Sequence, residues 1–359
     1  MTATAKDKAG NVNTESRSYT VSKANATCTI SGYTGVYDAA SHGASGSCSG
    51  VGGESAGTLD YGTTFKDVSG GTAHWVFTGN GNYDNESGDM AIVISKADAT
   101  CTVVGYSEIY DGAAHGATGS CIGVLAEPLA GLDLGATFTN VPGGTADWAF
   151  TDVSGNYDDE SGDVAIVISK ADALVTVNGY TGIYDAVAHG ATGTATGVGG
   201  VNLSAGLNLG ATFTNVPGGT ALWTFAGGTN YLDENGSVTI GILPWTFGGF
   251  YQPVDNGNVW NTVKGGSTVP LKFEIFAGPT ELTDVSAVKF YTAKTIPCTG
   301  LPGASEDQIE TLSATGSTVL RYADGKFIFN WKTPKAVGCY QVTITAQDGS
   351  TLVAYFKLK

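Results

Sequence analysis

The chain has no apolar run approaching the roughly 18 residues of a membrane-spanning helix, and no convincing stretch of helical periodicity. Basic residues are scarce: 17 Lys and Arg stand against 33 Asp and Glu, a formal net charge of −16. Nucleic acids and anionic membranes both require a basic face, so neither is expected as a partner. Charged residues of either sign make up only 14% of the chain, against roughly 25% in ordinary globular domains. No Ser/His/Asp arrangement, phosphate-binding loop or HExxH helix occurs, which removes the common sequence signs of catalysis. There is no CxxC pair, so the cysteine spacing does not suit a zinc site. The first residues, MTATAKDKAG, lack the apolar core of a signal peptide. Taken with the cysteines described below, that absence is read as the mark of a piece of a longer exported chain.

What the sequence does contain is repetition. SKANATCTISGYTGVYDAASHGASGSC, beginning at Ser22, returns as SKADATCTVVGYSEIYDGAAHGATGSC from Ser95 and as SKADALVTVNGYTGIYDAVAHGATGTA from Ser169. GGTAHWVF returns as GGTADWAF and GGTALWTF, and each copy closes on Asn82-Tyr83, Asn156-Tyr157 or Asn230-Tyr231. Internal periodicity on this scale marks a tandem array. Glycine, at 53 of 359 residues, is about twice its ordinary frequency. Gly-rich turns between short β-branched and aromatic runs predict an all-β chain.

The copies act as an alignment of the sequence with itself. Cys28 and Cys101 share one position, Cys48 and Cys121 another, and the third copy has Val175 and Ala195 there. Both cysteines vanish together, as expected if they are bonded to each other. Disulfides Cys28–Cys48 and Cys101–Cys121 are therefore expected, leaving Cys298–Cys339 for the C-terminal block. A bridge closing a loop of about 20 residues contributes on the order of 3 kcal/mol in the chain-entropy account, a large share for a unit of this size. Disulfides imply an oxidising compartment, hence export.

Each copy reads as five or six short strands. The first is TCTISGY in copy one, a second carries the paired cysteine, and a third covers Thr63-Thr64-Phe65. In the fourth, Ala73, Trp75 and Phe77 share one face by the two-residue period of a strand. The other face varies freely between copies, as in His74, Asp147 and Leu222. The closing strand repeats this pattern at Met90, Ile92 and Ile94. One face is core and the other solvent. Joints such as Ile94-Ser95-Lys96-Ala97 leave little slack, so the copies are expected end to end as an elongated array. At Leu243-Pro244-Trp245 the joint changes, and residues 244–359 do not repeat the unit.

These segments resemble known families. Residues 1–21 resemble the last hairpin of a bacterial immunoglobulin-like domain. The triplicated unit resembles the MBG/YDG class of bacterial surface repeats, with the Tyr-Asp of that name at Tyr37-Asp38, Tyr110-Asp111 and Tyr184-Asp185. Copy two departs from the usual Gly-Gly of the middle loop, reading Leu125-Ala126-Glu127-Pro128. The C-terminal block is similar to the PxKF domain, whose motif falls at Pro270-Leu271-Lys272-Phe273 after Tyr251-Gln252-Pro253-Val254. The resemblances imply a large, multidomain, exported bacterial protein and carry no catalytic activity. The expected organisation is a truncated hairpin over 1–21, repeats over 22–94, 95–168 and 169–243, and a β-sandwich over 244–359. Each repeat is expected as a small immunoglobulin-like sandwich or a β-grasp.

Four groups of residues are candidates for chemistry. His42, His115 and His189 follow the Tyr-Asp pair at a fixed spacing, but no nucleophile or metal set accompanies them, and Asp is read as closing a turn. The acidic turns Asp84, Glu86 and Asp89, then Asp158, Asp159, Glu160 and Asp163, with Asp233-Glu234, supply oxygen ligands of the sort Ca²⁺ uses. They lack the spaced calcium loop, and no other cofactor is expected. Tyr33 and Tyr37, with their equivalents, are aromatic enough for a glycan platform but pair as core-edge residues do. Lys23, Lys96 and Lys170 are read as linker lysines rather than isopeptide donors. The expected function is a non-enzymatic stalk or adhesive spacer of a secreted or cell-surface bacterial protein. Its expected partners are neighbouring domains of the parent chain and a cell-wall or host glycan or protein. The alternative is a carbohydrate- or protein-binding module attached to an extracellular enzyme.

Overall fold

A computed structural model describes residues 1–299 and 319–359. Among them there is no α-helix, only three short 3₁₀ turns, and the chain is all-β. They divide into two compact units, Met1–Ser169 and Lys170–Lys359.

In Met1–Ser169, the first hairpin pairs Thr2–Lys6 with Val12–Ser16 in antiparallel register, and every one of its residues is exposed. Copy one then forms two small sheets. Thr27–Ser31 pairs with Ser45–Ser49. The larger sheet runs in the order Tyr33–Val36, Glu86–Ser95, Gly71–Gly79, Gly57–Asp60, its first pair parallel and the others antiparallel. Copy two repeats this order as Tyr106–Ile109, Glu160–Ser169, Gly143–Phe150, Leu132–Asp133. Its smaller sheet gains a third strand, Pro128–Leu129. No helix lies across these sheets, so each copy is a sandwich and not a β-grasp.

The run TCTISGY is two strands, not one. The chain changes sheets at Gly32, where a Cβ would lie 2.1 Å from the Ala91 carbonyl oxygen. Gly105 meets the Ala165 carbonyl oxygen at the same 2.1 Å. Only a residue without a side chain lets the crossing backbone approach so closely. The expected strand at Thr63–Phe65 is also corrected. Phe65 makes a single isolated bridge to His42, and the ladder partner is Gly57–Asp60.

The core follows the two-residue period. Ala73, Trp75 and Phe77 are buried, as are Ile92 and Ile94 on the next strand. Trp75 lies opposite Gly88, and Trp148 opposite Gly162. A Cβ at either glycine would sit 2.9 Å from the indole, so the large ring packs flat across its neighbour only because that neighbour is glycine.

In Lys170–Lys359, copy three repeats the larger sheet as Tyr180–Ile183, Glu234–Leu243, Gly218–Phe225, Leu207–Asn208. Its smaller sheet pairs Leu174–Asn178 with Thr192–Thr196. Copies one and two have Ala26, Ala56 and Phe77, or Ala97, Ala99 and Phe150, between their sheets. The C-terminal block is a larger sandwich. One sheet holds Thr246–Tyr251, Thr268–Ala277, Lys326–Lys332 and Arg321–Ala323, with Thr280–Leu282 also against Thr268–Ala277. The other orders Trp260–Val263, Thr351–Leu358, Gly338–Ala346, Val288–Ile296. Leu271, Phe273, Ile275, Phe327, Val342 and Phe356 meet between them with no measurable exposure. Lys272 is half-buried between two of these on the opposite face of its strand. Lys326–Lys332 alternates in sequence, yet Phe327 through Trp331 are all buried.

Candidate functional site

The Tyr-Asp corner of each repeat holds the chain's most regular side-chain cluster. The corner lies just past the short strand that pairs parallel with the closing strand, and the Tyr37 N–H donates to the Ser95 carbonyl at 2.9 Å. Asp38 turns the chain. Its carboxylate accepts from the Ala40 N–H at 2.8 Å and from His42 Nε2 at 2.8 Å. The His42 ring stacks on Tyr33, with centroids 3.7 Å apart and planes 8° from parallel. Copies two and three repeat this as Tyr106/His115/Asp111 and Tyr180/His189/Asp185, with stacking at 4.0 Å in both. The His–Asp contacts there are 2.8 and 3.0 Å. Backbone bonds to Phe65 on both sides of His42 fix the histidine main chain.

The histidine bond, followed by the Ala40, Ala113 and Val187 amides, holds Asp38, Asp111 and Asp185 below the usual carboxylate range. The histidine Nε2 and the aspartate Oδ1 are bonded to each other in every copy. The arrangement is a clamp that joins the parallel-strand corner to the next loop.

The neighbouring tyrosine has a different task. Tyr37 packs edge-on against Tyr157 of copy two, centroids 5.5 Å apart at 79°. In Lys170–Lys359, its equivalent Tyr184 meets Trp245 at 5.3 Å, also at 79°. Trp245 Nε1 donates to the Tyr184 carbonyl at 2.8 Å, and the Trp245 N–H donates to the buried Asp348 at 2.6 Å. Tyr33 and Tyr37 are thus both covered, and they form no open platform for a glycan.

Asn156 completes the copy one–copy two joint. Its Oδ1 accepts from the Val68 N–H at 2.8 Å, and its Nδ2 donates to Asp67 Oδ1 at 3.1 Å. The side chain is 7% exposed. Sequence reasoning used the Asn-Tyr pair as punctuation and missed this role; its recurrence at the end of every copy was the available signal.

A second missed residue is Glu54. The Tyr83 hydroxyl donates to it, and the Tyr157 hydroxyl donates to the equivalent Glu127. Each phenol also accepts a loop N–H, from Val51 at 2.9 Å and Val124 at 3.1 Å. The tyrosine bond lowers the pKa of both glutamates. It also raises that of Tyr83, while burial is the larger cause at Tyr157. Copy three keeps the loop bond, from Val198 to Tyr231 at 3.0 Å. Its backbone places Val201 where the glutamate stands, since Gly197 donates to the Val201 carbonyl as Gly50 does to that of Glu54.

The six cysteines pair as Cys28–Cys48, Cys101–Cys121 and Cys298–Cys339. The acidic turns do not converge. Among the described residues no group of three or more His, Cys, Asp or Glu side chains is placed to hold a metal ion. Asp84, Glu86, Asp158, Glu160 and Asp163 join no such group, and Asp89 is bound to His74 at 2.7 Å. Asp159 and Asp233 accept from Asp152 and Gly227 backbone amides. These carboxylates close turns, which explains why Asp and Asn recur there. Lys170 Nζ donates to the Gly228 carbonyl at 2.7 Å, a linker contact.

No protein-family model matches the chain, and no curated protein matches it. Among solved structures, the chain aligns with invasin, described as a bacterial integrin-binding protein, at 13% identity and a TM-score of 0.38. That alignment covers 93% of this chain and 79% of the other. FdeC, an Escherichia coli adhesin, aligns at 14% identity and a TM-score of 0.22, over 84% of this chain and 99% of the other. The I9–I11 tandem of titin aligns at 9% identity and a TM-score of 0.26, covering 72% and 99%. Superpositions this loose assign neither partner nor activity to the chain.

Proposed function

We propose that this chain is a non-enzymatic structural and adhesive segment of a secreted or cell-surface bacterial protein, made of three tandem sandwiches and a C-terminal β-domain. The observation that carries the reading is the joint. The most regular polar and aromatic side chains of the repeat are spent on seating one domain against the next or on closing its own loops. Tyr37 and Asn156 do the first, and the Asp38/His42 clamp the second. Three disulfides suit an oxidising, protease-exposed setting. The function is mechanical: spacing and presentation.

Small-angle scattering of the full chain tests it. An elongated particle of near-constant cross-section is expected, and a compact one rejects the spacer. A binding role draws support from one feature, a cleft of ≈550 Å³ in Lys170–Lys359 lined by Tyr184, Trp245, Glu281, Asp284 and Gln347. Glycan-array or pull-down binding by the full chain, weakened by Gln347→Ala, would favour that module over the spacer.

A further inference from the structure

In every copy the opening segment runs parallel to the closing strand along its length. In copy one Ala24 bridges Tyr83, and Tyr33–Val36 pairs with Ile92 through Ser95, both in parallel register. Copy two repeats this with Ala97 beside Tyr157 and Tyr106–Ile109 beside Ile166 through Ser169. Copy three does so with Ala171 beside Tyr231 and Tyr180–Ile183 beside Ile240 through Leu243. The chain therefore enters each copy at one end of this ladder and leaves it at the other. Tension applied through the chain ends pulls the two strands past each other. The slanted, evenly spaced bonds of a parallel ladder then share the load, whereas a hairpin pulled from its open end gives up its bonds singly.

The path of the load beyond the first bridge differs between copies. Cys28 stands between Ala24 and Tyr33, and its disulfide leads to Cys48 on the neighbouring strand. A pull on Ala24 thus passes through sulfur into Ser45–Ser49 and leaves Tyr33–Val36 unloaded. To open copy one, the closing strand has to be drawn out from between Tyr33–Val36 and Gly71–Gly79, against four residue pairs on one side and seven on the other. In copy two, Cys101–Cys121 imposes the same route, against four pairs and eight. Copy three has Val175 and Ala195 at the cysteine positions. There the pull travels along the backbone into Tyr180–Ile183 itself, and beyond the Ala171 bridge four pairs resist it.

We propose that the chain is a load-bearing tether in which copy three is the repeat that yields first under tension. This rests on the reading of the chain as a spacer and adds a function to it. Copies one and two hold their length at loads that extend copy three. Covalent closure also sets how far each copy can extend. The separation of 20 residues between Cys28 and Cys48, and between Cys101 and Cys121, withholds about 70 Å of chain at roughly 3.5 Å per residue. Copy three withholds none, so the repeat that gives way first is also the one that extends furthest. In the C-terminal block, the separation of 41 residues between Cys298 and Cys339 withholds about 140 Å.

Single-molecule force spectroscopy of the full chain, held by peptide handles fused at its two ends, tests this. Reductant identifies each step: those of copies one and two should lengthen by about 70 Å, that of the C-terminal block by about 140 Å, and that of copy three not at all. In the oxidised chain, the step that reductant leaves unchanged should occur at a lower force than the two that lengthen by about 70 Å. Reductant should bring those two down to the force of copy three, because forced unfolding reports the barrier along the loaded path. Val175→Cys with Ala195→Cys, oxidised, should shorten the copy-three step by about 70 Å and raise its force to that of copies one and two. The proposal is overturned if copy three yields with or after copies one and two in the oxidised chain, or if reductant lengthens their steps without lowering their force. Repeats that extend gradually with no force peak overturn it too, since the ladder is then not loaded in shear. A compact particle in small-angle scattering would reject the spacer and leave these force steps unaltered, so the two readings fail separately.

Discussion

Copy three should accept the clamp it lacks. Val175 and Ala195 are directly opposed in register across the Leu174–Asn178 and Thr192–Thr196 pair, as Cys28 and Cys48 are in copy one. In copy one the opposed Cα atoms are 4.0 Å apart across a sequence separation of 20. The double substitution Val175→Cys, Ala195→Cys should therefore oxidise to a disulfide without moving the backbone. Closing a loop of that length restricts the unfolded chain by about 3 kcal/mol. Trimming half-buried Val175 forfeits about 1 kcal/mol of packing, while Ala195, at 1% exposure, gains the sulfur that its counterparts already house. A net gain of about 2 kcal/mol raises the melting point of a unit this size by on the order of 10 °C. It also slows global-opening exchange in copy three by roughly 30-fold. Hydrogen exchange read by mass spectrometry isolates copy three from the rest, and the mass loss of two hydrogens shows that the bond has formed. Reductant should restore the parent rates, less the cost of the valine. The reasoning is refuted if the bond forms quantitatively and exchange in Gly218–Phe225 and Glu234–Leu243 stays at the parent value.

Other consequences are as direct. Asp38, Asp111 and Asp185 have folded pKa values below their unfolded ones, so their stabilisation is present above about pH 4 and lost as pH falls through the folded values. A thermal scan from pH 6 to pH 2 should show that loss, and His42→Gln should flatten the share belonging to copy one. Glu54 and Glu127 carry the same sign, so Glu127→Gln should reduce the acid sensitivity of copy two while leaving copy three untouched. Gly32→Ala drives a Cβ to 2.1 Å from the Ala91 carbonyl oxygen; a loss of about 3 kcal/mol or more is expected in denaturant unfolding of copy one, against little for Gly81→Ala, where a Cβ meets nothing within 4 Å. A double-mutant cycle on Tyr184 and Trp245, each changed to Ala, should give a coupling of about 0.5–1.5 kcal/mol for the edge-on pair; additive effects would mean that the ring contact does not hold that joint.

The sequence made some of this legible and hid the rest for identifiable reasons. The faces of Gly71–Gly79 and Glu86–Ser95 were readable because a half-solvated strand writes its core into every second residue. The disulfide pairs were readable because copy three supplies the substitution test within one chain. The division of TCTISGY was not, since Thr, Ile and Tyr are strand formers on both sides of the break. Only the constancy of Gly32, Gly105 and Gly179 hinted that the backbone crosses there. Tyr33 and Tyr37 looked like one alternating aromatic pair. They separate because one turns inward onto His42, while the other reaches Tyr157 in a different copy, and contact across a joint leaves no periodic trace. Asn156 was hidden similarly: asparagine in a turn is ordinary, and its burial depends on a loop 88 residues earlier.

The two clamps of copies one and two fail together in copy three, and the reason lies in one corner of the fold. The cysteine strand Thr118–Ile122 is also the strand whose end meets the Glu127 loop, since Gly123 donates to the Glu127 carbonyl. Disulfide and glutamate thus pin the same end of one edge, two residues apart. In copy three the Leu203 N–H donates to the Ala195 carbonyl at 2.9 Å, at the positions that Leu129 and Cys121 pair in copy two, and what is added is the Ser204 hydroxyl, which accepts from the Ala195 N–H at 3.1 Å. Leu203 also fills the space beside Gly197, reaching within 2.8 Å of where a Cβ would stand. The added Ser204 hydrogen bond is worth about 1 kcal/mol net, less than the covalent loop closure that copy three lacks. Copy three should therefore open before copies one and two in urea under oxidising conditions. Reduction should bring the three together, because it removes the advantage from the first two and leaves the third unchanged. If copy three instead remains the last to open when the disulfides are intact, its non-covalent edge is the stronger solution, and the clamps of the other copies serve something other than stability.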